Sequence, residues 1–127
     1  MSDPIQIVKA WHEAVNSGDT GRLAGLVSED VEIGGPRGTD RGPEVLVEWV
    51  ERTGIRLEPT VWYQRGETVV VCQLATWPGE SGTPGDPQPA ASAFVVRDDR
   101  IMSIVRYADQ IAAFGATGLA ATDRVQD

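Results

Sequence analysis

A chain of 127 residues fits one domain and can bury a core without disulfide or metal staples. A formal net charge of -8 argues against binding to a phosphate backbone, which needs a basic face. Cys72 is the only cysteine, so an intrachain disulfide is excluded, and no apolar run is long enough to span a bilayer.

The opening Met1-Ser2-Asp3-Pro4 lacks the basic start and apolar core of a secretory signal. A cytoplasmic protein without nucleic-acid or membrane partners is the resulting expectation. From Pro4 to Asn16, Ile5, Val8, Trp11 or His12, and Val15 recur at three- and four-residue steps, which predicts a helix. Gly18 suits a left-handed helix end, and Asp19 caps a second helix that runs through Leu23 and Leu26 to about Ser28. Val31 to Ile33 reads as a short strand, stopped by Gly34-Gly35-Pro36, and residues 37–42 read as a turn-rich loop. Pro43 opens a third helix, with Val45, Leu46, Trp49 and Val50 on one stripe, and Gly54 ends it.

Beyond Ile55 the period switches to two. Arg56 to Gln64 is a strand, residues 65–67 a hairpin turn, and Thr68 to Trp77 the most β-prone run. Pro78 to Pro89 is a Gly/Pro-rich loop, either a lid or a solvated linker. Ala90 to Arg97 returns as a strand, Asp98-Asp99 turns, and a last strand covers Ile101 to Asp109. A short helix from Gln110 to Phe114 follows, then a tail expected to fray. Helices first and hairpin-connected strands after them give an α+β domain over the whole chain, with its core at about 4–115. Its curved antiparallel sheet would wrap a cone-shaped hollow against the helices.

The last strand carries the chief functional clue. Met102, Ile104, Arg106 and Ala108 share one face, and Ile101, Ser103, Val105 and Tyr107 the other. Arg106 therefore interrupts an apolar row, where a guanidinium requires an anion, a set of acceptors or water. A salt bridge to Glu13 or Asp109 would answer that need within the chain, and a ligand oxygen would answer it from outside. The opposite face, with Val105 and Tyr107, would stay exposed unless a second copy covered it, so a homodimer is expected.

The order of elements, Val-Asn-Ser-Gly-Asp at 15–19 and Arg-Tyr-Ala-Asp at 106–109 resemble the nuclear transport factor 2-like (cystatin-like) superfamily. Within it, the chain resembles the SnoaL-type polyketide cyclase and ketosteroid isomerase branch. The resemblance implies a conical pocket but not one chemistry, since the superfamily holds isomerases, cyclases, hydrolases and adaptors. The ketosteroid isomerase pattern wants a tyrosine where Trp11 stands, an aspartate base where Gly35 stands, and a protonated aspartate near Ser92. The limonene epoxide hydrolase pattern wants an aspartate where Arg106 stands. SnoaL-type cyclases use an acidic residue near the last strand, for which Asp109 is the local candidate.

Trp11, Ser92 and Arg106 would then form a cavity rich in hydrogen-bond donors, suited to a carboxylate, enolate or carbonyl oxygen. Gly35, Trp49 and Trp62 would complete the ligand-binding set, with the tryptophans, Trp77 included, serving as core or pocket wall. The leading expectation is a small-molecule-binding domain holding an apolar ligand with an acidic or carbonyl group. An isomerase, cyclase or hydrolase using Asp109 or His12 as acid/base is the alternative, and a non-catalytic dimeric adaptor a third. Asp109 also suits a helix cap, and His12 a partly exposed helix position. Cys72 reads as a small buried hydrophobe. One histidine and one cysteine give no metal-ligand spacing, Gly34 to Gly38 is no phosphate cradle, and no cofactor is implied.

Overall fold

Helix α1 (Pro4–Ser17) starts where the Asp3 carboxylate accepts from Ile5 N, and Pro4 fills a position whose N–H would have had no helical partner. It ends at Gly18, whose φ of 70° is the left-handed turn that glycine adopts without a Cβ penalty. The computed structural model describes residues 3–35, 38–76 and 87–125. The sequence reading of Trp77, of Pro36 and Arg37, and of most of the Pro78–Pro89 loop lies outside the described residues.

Asp19 caps α2 (Thr20–Leu26) through Arg22 N, and α3 spans Pro43–Thr53. The strands are β1 (Val27–Gly35), β2 (Gly38–Arg41), β3 (Arg56–Arg65), β4 (Thr68–Thr76), β5 (Gln88–Arg97), β6 (Arg100–Tyr107) and β7 (Arg124–Val125). They form one curved seven-stranded sheet in the order β2-β1-β6-β5-β4-β3-β7. The class is α+β, as expected. The sheet is mixed rather than wholly antiparallel, because β1 runs parallel to β6. Residues 38–41 are a strand rather than loop: they fold back on β1 and pair Arg41 with Glu32. The tail also differs from the expectation, since helix α4 (Gln110–Thr117), a 3-10 turn (Ala121–Asp123) and β7 carry it back to pair with β3. Arg65 fastens that return with bonds to Asp123 and to the Gly118 carbonyl.

Two clusters hold the sheet. On the inner face, Val8, Trp11 and Val15 of α1 pack with Leu46 and Val50 of α3, Val69 and Val71 of β4, and Phe94 of β5. On the outer face, α4 brings Ala113 and Phe114 onto Tyr63, Val70, Ala91 and Ala93. The strict alternation expected for β6 fails at one point. A bulge between Val95 and Val96 shifts the β5–β6 register, and Ile101 joins the inner cluster together with Ile104. Asn16 ties helix to sheet. Its side-chain amide donates to Leu57 O at 2.8 Å and its carbonyl accepts from Leu57 N at 2.7 Å, as a neighbouring strand would.

Candidate functional site

Between α1, α3 and the inner sheet face lies a cavity of about 870 Å³. Trp11 contributes from α1, Leu46 and Trp49 from α3, Ile33 and Gly35 from β1, Leu57 from β3, and Ile104 from β6. Set into this apolar wall are Gln73 of β4, Ser92 of β5 and Arg106 of β6. Ser92 and Arg106 are direct partners across the β5–β6 ladder, so their side chains rise side by side from one face. Arg106 is half-buried and lines the cavity. Of the two carboxylates considered as its intrachain partners, Glu13 pairs with Arg22 at 3.5 Å and Asp109 accepts from Ala112 N at 2.8 Å.

Five of the expected ligand-binding residues, Trp11, Gly35, Trp49, Ser92 and Arg106, come together around this space. A Cβ added at Gly35 would meet nothing within 4 Å, so the position where the isomerase pattern places its base is open room. Trp62 sits elsewhere. It lies in the core against the His12 ring and borders a second depression, of about 560 Å³, with Lys9, Glu13 and Asn16. Asp109 caps α4 rather than lining the cavity. The mouth carries groups the sequence reading did not single out: the exposed Asp40, Glu48 and Arg52.

His12 is not the partly exposed helix residue expected but is 3% exposed. Its Nδ1 lies 2.8 Å from Val8 O, and its Nε2 lies 2.7 Å from Gln73 Nε2. Gln73 Oε1 in turn accepts from Ser92 Oγ at 2.8 Å. A continuous buried chain thus runs from the cavity wall to the first helix. Desolvation lowers the His12 pKa to about 4, outweighing the opposing effect of the Val8 carbonyl. The imidazole is therefore neutral at physiological pH. Trp11 packs edge-on against His12 and Phe94, and its buried indole N–H has no hydrogen-bond partner among the described residues. Cys72 differs from its reading as core. It is half-buried on the outer face, its thiol directed at Gln110 Oε1 at 3.7 Å, and desolvation raises its pKa.

Among solved structures, a nuclear transport factor 2-like protein from Burkholderia xenovorans is 28% identical, with a TM-score of 0.68 over 90% of this chain and 95% of its own. TerC, co-crystallized with polyporic acid, is 21% identical at a TM-score of 0.72, covering 90% of this chain and 97% of its own. A putative polyketide cyclase from Xanthomonas campestris is 20% identical at 0.71, over 88% and 94%. At those last two identities the likeness concerns the fold. No curated protein matches the chain. A family model for the SnoaL-like domain matches residues 8–104, most of the length that the helices and the curved sheet occupy, and the chain belongs to that family, within the nuclear transport factor 2-like superfamily.

Proposed function

We propose that this chain binds a mainly apolar small molecule and directs an anionic or carbonyl oxygen of that molecule toward Arg106. The observation that carries the reading is Arg106 beside Ser92 in a cavity wall built mainly from aromatic and aliphatic groups, with Gln73 also in that wall and Asp40, Glu48 and Arg52 at the mouth. A volume of about 870 Å³ accommodates a molecule of several rings. Trp49, which is half-buried, supplies stacking area, and Gly35 leaves the floor open. That TerC, which shares the fold, was co-crystallized with an acid agrees with this chemistry.

Calorimetry with 2-naphthoate tests it. Charge-assisted hydrogen bonds contribute on the order of 1.5–3 kcal/mol, so Arg106→Met is expected to weaken binding at least tenfold while thermal unfolding stays cooperative. Unchanged affinity overturns the assignment. Turnover through Asp109 or His12 has less support, because the Asp109 carboxylate is engaged by the start of α4 and His12 is held neutral with both ring nitrogens occupied.

A further inference from the structure

With His12 neutral, the hydrogen bonds from Val8 to Ser92 have one self-consistent direction of donation, and that direction decides what the cavity wall offers a ligand. A backbone carbonyl only accepts, so the 2.8 Å contact between His12 Nδ1 and Val8 O places a proton on Nδ1. A neutral imidazole protonated there keeps a lone pair on Nε2, and Gln73 donates to it across 2.7 Å. This fixes the amide orientation, with Nε2 toward the histidine and Oε1 toward Ser92. The Ser92 hydroxyl proton is then committed to Gln73 Oε1 at 2.8 Å. Exposures of 3% for His12, 2% for Gln73 and 6% for Ser92 leave little room for solvent to replace any of these partners. A charged His12 would reverse the order, but its lowered pKa keeps it neutral above about pH 4.

Ser92 therefore presents lone pairs to the cavity. Its cross-strand neighbour Arg106 presents only donors. The wall is an acceptor beside a donor, rather than the set of donors that the residue types alone suggest. We propose that the cavity selects, among apolar acids and carbonyl compounds, those with a hydroxyl or enol group adjacent to the oxygen held by Arg106. Ser92 is the acceptor for that group, and Gln73 and His12 are the positioning residues that keep it one. This selectivity rests on the ligand reading above and adds a second point of recognition to it.

The test uses three matched acids: benzilate, which carries a hydroxyl beside its carboxylate, its O-methyl ether, and diphenylacetate, which lacks the oxygen. Benzilate is expected to bind at least tenfold tighter than either analogue in calorimetry. Ser92→Ala should bring the three affinities within about threefold of one another, without weakening diphenylacetate. Gln73→Met releases the serine proton, so the ether should gain on benzilate. Equal wild-type affinities for the three acids, with Arg106→Met weakening all of them, overturn the selectivity and leave the ligand reading standing. No binding by any of them overturns both. A readout independent of ligand is the nitrogen NMR signature of His12 in the wild-type protein. A proton on Nδ1 and none on Nε2 supports the chain as drawn, and the opposite tautomer overturns it.

Discussion

Burial keeps His12 neutral, and neutrality is what lets its Nε2 accept from Gln73. The same burial makes the fold sensitive to acid. The folded pKa, about 4, lies below the ordinary value of 6.5, so the unfolded chain binds the extra proton between these limits. Stability from this residue is complete above about pH 6.5, declines as pH falls toward 4, and changes little further below that. Between pH 7 and pH 5 the loss amounts to about 2 kcal/mol. Thermal unfolding at the two pH values should show it, and His12→Gln should flatten the difference; equal slopes in both proteins would remove His12 as the cause. Arg106 was legible because a charge interrupts an apolar alternation. Gln73 carries the same signal in β4, between Val71 and Ala75 on the inner row, yet an uncharged amide in a β-prone run stands out less. The direction of its hydrogen bonds was not legible at all, since it depends on a helix carbonyl 65 positions away in the chain from Gln73.

Elements with local signals emerged close to their observed bounds: α1 and α3 from apolar spacing, proline starts and glycine ends, and β3 and β4 from alternation across a tight turn. Elements defined by a distant partner did not. β2 is four exposed residues with no apolar member, held by its ladder to β1, and β7 is two residues long. The parallel pairing of β1 with β6 likewise leaves no trace in either segment alone. Asp109 shows an element-scale role that its sequence position shares with a catalytic one. Its carboxylate accepts from Ala112 N and opens α4, the helix that covers the outer cluster. Asp109→Ala is expected to cost about 1 kcal/mol in denaturant unfolding, while Asp109→Asn, an equally good cap, leaves stability nearly unchanged. Both variants should bind 2-naphthoate as the wild type does. A tenfold loss of affinity in the asparagine variant would return Asp109 to the site.

At the scale of the whole molecule, the two faces of the sheet are finished differently. Helices α1 to α3 close the inner face around the cavity, whereas α4 covers only part of the outer one. Beyond α4, Val105 and Tyr107 are half-buried, and Ile111 on α4 itself is 82% exposed. Association through a remaining apolar face of this kind removes about 800 Å² per partner from water in a stable dimer. The charge of -8 opposes close approach of two copies, so contact centred on the uncharged Val105, Tyr107 and Ile111 would be favoured over the acidic remainder of the surface. We therefore expect a homodimer at micromolar concentration in sedimentation velocity, and Ile111→Asp should raise its dissociation constant at least tenfold without altering the monomer's circular dichroism. Raising the salt concentration should tighten the pairing, because screening weakens the repulsion between like-charged copies and leaves apolar burial intact. A monomer throughout that range, at low and high salt alike, would mean that α4 already completes the outer face.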